Sequence, residues 1–451
     1  MAMEYIVEPQ KKIKVSEQAD ICVVGGSCTG VFAAVRAARL GAKVVLIEKQ
    51  NCLGGTATSG LVNVWHSLYD TDGQNQIIAG LTFETIERLQ QAGALKCTDS
   101  VNSAYQFNSQ ELKIELDRYI KENKIKLYLH TYYSTLLLDG NRIKAAVIEN
   151  KDGRSAIKAD FFIDATGDGD LCRDLEIESY RNKTVQPPSA CFLMKGRVDS
   201  NLLSQVIREH GHEEGLEDDW GWGCNAVCSD DIRMSADNHV FNVMCNRADD
   251  LTFAETEGRR QMRAFINLLK KYGYSDERYA LVAACSHIGI RETVHYKTLY
   301  RAEEKDLLSG KRYPTAVLNG TYRIDIHHSD NMGITFKYLD GTVTTYYGKN
   351  TRQESGNWRT EAGITGEPAK YYQLPLEVLI QEKYENFIMV GRMLNADEGA
   401  FGALRVMVNL NQLGEAAGVA AYTAIDSNMP VQKIDRLKVC ETLKAGGSAL
   451  I

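Results

Sequence analysis

The stretch from Asp20 to Glu48 constrains the fold more than any other. ICVV reads as a short β-branched strand, GGSCTG as a glycine turn, VFAAVRAARLG as an alanine-rich amphipathic helix closed by glycine, and KVVLIE as a second buried strand. Together they make one βαβ unit, which commits the chain to a parallel sheet. Gly25 and Gly30 take the first and third positions of a G-x-G-x-x-G turn, and Ser27 stands where the middle glycine would be. Backbone N–H groups at such a helix start, here in Gly25, Gly26, Ser27, Thr29 and Gly30, favour a pyrophosphate through their unsatisfied donors and the helix dipole. Glu48 ends the second strand, where its carboxylate can accept both ribose hydroxyls, with Lys49 beside it. At this point FAD and NAD both remain open.

A chain of 451 residues implies two or three domains. Its net charge of -7 is interspersed rather than gathered into basic runs, which argues against nucleic-acid binding. No apolar run approaches the roughly 18 residues of a membrane span. The N-terminal residues lack a secretory pattern, and eleven scattered cysteines fit a reducing compartment, so a cytoplasmic location is expected.

Further along, Gln76–Gly93 and Asn108–Lys124 have helical spacing, the second with an Asn cap. Lys126–Ile163 alternates apolar and polar residues in three runs broken at 139–141 and 151–153, the pattern of a β-meander. Residues 191–372 lose the βαβ rhythm and read as a separate α+β substrate domain. The expected organisation is a discontinuous nucleotide-binding domain (17–75, 125–190 and 373–426), a helical insertion (76–124), the interposed substrate domain (191–372) and a C-terminal extension (427–451).

Directly after Glu48, the small residues Gly54, Gly55, Thr56, Ala57 and Thr58 offer a second surface for a longer cofactor. With the blocks FFIDATGDGDL and NFIMVGRMLNADEGAFGALRVMVNLNQLGEAAGVAA, the chain resembles the two-dinucleotide-fold flavoproteins over nearly its whole length. Specifically, it is similar to the FAD-dependent oxidoreductase family that is loosely related to fumarate reductase flavoprotein subunits. The resemblance implies a Rossmann-like, glutathione-reductase-like FAD domain with a β-meander. It places Ala165, Thr166, Gly167 and Asp168 beside the adenosine and pyrophosphate, and Gly391, Arg392 and Asp397 toward the ribityl chain. It also implies that a helix beginning near Gly414, with Glu415 and Ala416, aims its N-terminus at the flavin pyrimidine, where reduction places negative charge.

Against the same background, Ala57 and Val62 stand where disulfide reductases carry their redox cysteines, so dithiol chemistry at the flavin is not expected. No second G-x-G-x-x-G lies between a strand and a helix, and Gly221 and Gly223 follow no strand, so stable NAD(P)H binding is not indicated. The Ser-His-Thr context of covalent attachment is absent, with His66 the nearby imidazole, and FAD is expected to be noncovalent.

On the substrate side, SHIGIRETVHYK supplies His287 and Arg291, suited to proton transfer and to a substrate carboxylate. An Arg291–Glu292 ion pair bracing the domain junction is the equal alternative. In YRIDIHH, strand alternation puts Arg323, Asp325 and His327 on one face, and His327 is the second candidate, beside His287, for proton exchange with the substrate. Arg405 is a further candidate for the flavin or substrate, with surface ion pairing as its equal alternative. No third ligand accompanies His327 and His328, and Cys224 and Cys228 lack two more, so no metal is expected. The expected reaction is hydride transfer between a small organic substrate and FAD. The alternatives are an electron-transfer subunit serving a redox partner protein, or a non-catalytic redox sensor.

Overall fold

The computed structural model describes residues 4–198, 200–216, 225–229, 231–236, 238–329, 333–347 and 352–449; Gly221, Gly223 and Cys224 lie outside them. In chain order, the elements that position the site begin with β1 (Lys14–Val24), α1 (Cys28–Arg39), β2 (Val44–Ile47), α2 (Gly80–Gln91) and α3 (Ser109–Glu122). There follow β3 (Lys126–Tyr128), β4 (Tyr132–Asp139), β5 (Arg142–Asn150) and β6 (Gly153–Asp164). The middle of the chain supplies β7 (Phe192–Lys195), β8 (Asn225–Ser229), β9 (Ile232–Ser235), the long helix α4 (Ala248–Tyr272) and β10 (Ala280–Ala284). Next come β11 (Ile324–His327), β12 (Ile334–Lys337), β13 (Thr342–Tyr347) and β14 (Arg352–Asn357). The chain closes with β15 (Phe387–Met389), α5 (Glu398–Leu404), α6 (Met407–Asp426) and α7 (Arg436–Ala445).

The fold is mixed α/β, built on a Rossmann-like parallel sheet. β3, β2, β1, β6 and β15 lie side by side in that order and all parallel. β6 serves two partners on its second edge. Its first half, Gly153–Lys158, pairs antiparallel with β5 and so with β4, completing the meander, while Phe162–Asp164 pair with β15. The four residues of β2 are buried throughout, as a strand covered on both faces requires.

Helix α1 begins at Cys28, so Ser27 is its N-cap and half of the glycine turn is already helix. The Ser27 side chain makes no capping hydrogen bond, so it takes up none of the first helical N–H groups. Helix α6 lies against α1 at a distance only glycine allows. A Cβ on Gly414 would stand 2.2 Å from Thr29 O, and one on Gly418 2.2 Å from Ala33 O. The contact is sealed by Arg36 and Glu415, 2.5 Å apart and almost fully buried.

Most of the described buried apolar residues of 191–372 fall into two cores, with Ile334 and Phe336 forming a small cluster of their own and Val294 and Tyr296 packing with the β-meander side of the sheet. Phe192, Met234, Phe265, Leu269 and Ile288 form one cluster with Leu61 and Val64. Val317, Leu318, Ile324, Leu339 and Tyr372 join the main core with α1 and α6. Among the described residues no helix is long and apolar enough to cross a membrane.

Candidate active site

The ends of β1, β2 and β6 converge on one groove. It is lined by Gly25, Ser27, Glu48, Lys49, Gly55, Thr56, Ala165, Thr166 and Arg392, with His287, Ile288 and Ile290 closing it from the second core. Gly25 has φ of +105°, and a Cβ there would meet Ala165 O at 2.3 Å, so the turn can pass close under the β6 loop only as glycine. Gly30 packs on Gly25 O, where a Cβ would stand 1.9 Å away. Glu48 Oε2 accepts from Gly26 N at 2.6 Å and Oε1 from Gln50 N at 2.7 Å, which fixes the carboxylate at the groove edge.

The opposite wall is set by Asp164. Its Oδ1 accepts from Thr166 N and Thr166 Oγ1, and its Oδ2 from Leu171 N and Cys172 N, folding the Ala165–Asp168 turn back on itself. Arg392 donates to Asp168 Oδ1 at 2.7 Å and shields Gly167, where a Cβ would meet the guanidinium at 2.4 Å. Burial opposes the Asp168 charge, but Arg392 and Thr293 outweigh it and hold the carboxyl below its usual range. The neighbouring Gly391 also has positive φ, letting the chain turn from β15 into the groove. Gly54 and Thr58 lie behind the lining: Thr58 Oγ1 donates to Leu53 O, and a Gly54 side chain would collide with Thr58.

Several expected site residues are elsewhere. The helix near Gly414 begins at Met407, two turns earlier, because nothing from Met407 to Gln412 interrupts it; its glycines answer to the close contact with α1. Gly414, Glu415 and Ala416 are therefore interior positions, with Glu415 held by Arg36 and by Leu81 N at 3.0 Å. Thr29 is buried at the same contact, and Ala57 is buried with its carbonyl accepting from Ser109. Asp397, expected toward the ribityl chain, caps α5 by accepting from Ala400 N and also accepts from Glu304 N.

Of the substrate-side candidates, only His287 lies on the groove. Its Nδ1 donates to Ile288 O at 2.9 Å, which leaves Nε2 as the acceptor nitrogen, and burial holds the ring below its ordinary pKa. Arg291 instead donates to Pro187 O at 2.6 Å and Ser189 Oγ at 2.8 Å. Glu292 does not brace it: its oxygens go to His295 and Asn182 and to Gln186 N. His327 is buried between Asp325 and His239. Arg405 reaches Asp325 at 3.5 Å and is not a surface ion pair. Gln50, Ser59, Gly60, Thr131, Tyr133, Asp170, Ile288 and Ile290 line the groove without having been singled out. Ser59 and Gly60 sit in the small-residue run itself, whereas Thr131 and Tyr133 arrive from the meander with no local signal.

His66 lies against Tyr322 with ring centroids 4.1 Å apart and the planes tilted by 31°, and burial, reinforced by the Arg323 charge, pushes its pKa down to about 3. The unfolded ring takes up its proton near pH 6.5. Stability from keeping His66 neutral is thus complete above that pH and declines as pH falls toward 3. We expect the urea midpoint to drop more steeply between pH 6.5 and 4 in the wild type than in His66→Phe; parallel curves would refute it. Comparing the two proteins separates His66 from carboxylates that titrate in the same range.

A glycine cradle at a helix start, a carboxylate at the end of the second strand and a second small-residue turn define a dinucleotide site, and these residues fit FAD. The family model described as FAD dependent oxidoreductase matches residues 20–443, and the chain belongs to that family. Over 157 residues it is 29% identical to dihydrolipoyl dehydrogenase of Trypanosoma brucei brucei, covering 33% of this chain and 30% of that one. Over 159 residues it is 28% identical to the mitochondrial dihydrolipoyl dehydrogenase of Schizosaccharomyces pombe, covering 33% and 28%. The matched stretch thus spans less than a third of these curated relatives. Among solved structures, a geranylgeranyl bacteriochlorophyll reductase-like protein from Thermoplasma acidophilum is similar with a TM-score of 0.45 and 12% identity, over 95% of this chain and 83% of that one. The myxobacterial halogenase CndH gives 0.44 and 11%, over 95% and 79%.

Proposed function

We propose that this protein transfers a hydride between a small organic substrate and noncovalently held FAD. The observation that carries the reading is the position of His287, which faces the same groove as the glycine cradle, Glu48 and Arg392. Residues 17–75, 125–190 and 373–426 hold the cofactor, and 191–372 contribute the substrate side. Bound FAD supplies the two-electron chemistry. Glu48 takes the ribose hydroxyls, the N-terminus of α1 takes the pyrophosphate, and Arg392 with the Asp164-folded turn fixes the central part of the cofactor.

His287 is the substrate-side proton acceptor. Its neutral ring keeps Nε2 ready to take a proton, while the Nδ1 bond to Ile288 O fixes its orientation. Arg291 acts from behind, tying the 187–189 segment to the one that carries His287. Dithiol chemistry does not enter, because Ala57 and Val62 occupy the places of a redox cysteine pair.

Purified protein is expected to be yellow and to release unmodified FAD on denaturation. Colourless protein that takes up no added FAD would end this reading. Anaerobic bleaching across carboxylic acids, amino acids and sugars then identifies the substrate class.

A further inference from the structure

The His287 ring is oriented through one bond, from Nδ1 to Ile288 O at 2.9 Å. The ring is therefore held only as firmly as the backbone that carries Ile288. That backbone is pinned on both sides: Ser286 N donates to Ser59 O at 2.9 Å, and Gly289 exchanges a pair of bonds with Ser189, at 2.8 and 3.0 Å. Between these points lies Ile288 N, a buried donor that needs a partner of its own. Its partner comes from another element: it donates to Glu255 Oε1 at 2.7 Å.

Glu255 reaches the segment from α4, in the second core. Gly258, one turn along on the same face, lets the helix come this close. A Cβ there would stand 2.4 Å from Ala190 Cβ and 3.7 Å from Ile288 Cδ1. The other carboxylate oxygen, Oε2, accepts from Arg259 Nη1 at 3.1 Å, one turn along the same helix. Arg259 is 51% exposed and Glu255 19%, so that pair alone is of the kind that adds little to stability. It accounts for Oε2 and leaves Oε1 to Ile288.

The same carboxylate stands out among the charges that face His287. Burial comes first in keeping the ring neutral, with the bond to Ile288 O working against it. Lys49 from the end of β2 and Arg392 from the turn after β15 also disfavour a proton on the ring, while Glu255 from α4 favours one.

We propose that Glu255 is the positioning residue for His287: through the Ile288 backbone it fixes the ring with Nε2 as the acceptor, and it sets a negative charge where the ring must take a proton. The inference rests on the reading of His287 given above. Which nitrogen of an imidazole is free depends on the bond the other one makes, so a residue that never touches the ring can decide it.

The test follows the histidine ring nitrogens of FAD-loaded, isotopically labelled protein by NMR, with His287 assigned from the signals lost in His287→Gln. Wild type is expected to carry its proton on Nδ1, with Nε2 bare, at neutral pH. Glu255→Ala releases Ile288 N and should populate the other tautomer as well. Glu255→Gln offers Ile288 N an amide oxygen in the same place, so it should keep the wild-type tautomer and urea midpoint. Its ring should nonetheless titrate lower by about half a unit, a roughly threefold loss of the protonated form, because the charge favouring the proton is gone. Arg259→Ala keeps the bond to Ile288 and should keep the tautomer. An unmoved tautomer in Glu255→Ala, or an unmoved titration midpoint in Glu255→Gln, overturns the positioning role and leaves His287 in place; should Glu255→Ala fail to fold, the Glu255→Gln titration decides. A wild-type ring protonated on Nε2 at neutral pH overturns the reading of His287 itself.

Discussion

Glu48→Ala is expected to weaken FAD binding about ten- to a hundredfold, measured by titrating FAD into cofactor-free protein and following flavin fluorescence. A charge-assisted hydrogen bond is worth roughly 1.5–3 kcal/mol, and each 1.4 kcal/mol is a factor of ten. The carboxylate also holds the turn from within, because Gly26 N and Gln50 N both donate to it. Glu48→Gln keeps the shape and one acceptor, so it should fall between wild type and alanine. Equal affinities in all three proteins would show that the ribose is held elsewhere.

The second large effect concerns stability. Arg36→Met is expected to destabilise the fold by about 3–5 kcal/mol, because it strands Glu415 in the interior without its partner. Glu415 is already under strain from its surroundings: burial pushes its pKa up even with Arg36 beside it. Ser448 shares the arrangement, with Arg36 Nη2 donating to its hydroxyl at 3.2 Å, so the C-terminal segment should loosen too. The double variant Arg36→Met/Glu415→Leu removes both charges together and should recover most of the loss. Chemical denaturation of the three variants decides the matter, and a mild effect in Arg36→Met alone would show that the pair contributes little.

What could be read from the sequence was what is local. The βαβ unit announces itself because buried strands, a glycine turn and an alanine-rich helix each have their own periodicity, and Glu48 follows at a fixed distance. Helices α2 and α3 and the meander were legible for the same reason. The start of α6 was not, since glycine and alanine look alike whether they begin a helix or let two helices touch; Gly414 does the second. Asp397, expected toward the ribityl chain, stands immediately before α5 and caps it, a role that an aspartate at a helix start signals equally in the sequence. His239 carried no signal at all, because its partner His327 is 88 residues away and only the packing of the second core brings them together. Val317, Leu318, Ile324, Leu339 and Tyr372 gave no hint that they pack with α1 and α6, as short strands have the same texture in either core.

The shared strand β6 has a consequence for how the chain is made. Ile163 pairs with Ile388, across all the residues of the second core. On a ribosome, β1, β2, β3 and the meander can assemble early, but the FFID end of β6 then presents an apolar edge with no neighbour until β15 emerges. Throughout that interval this edge is the place where two nascent chains would join, so slower translation of the middle segment should favour aggregation over yield.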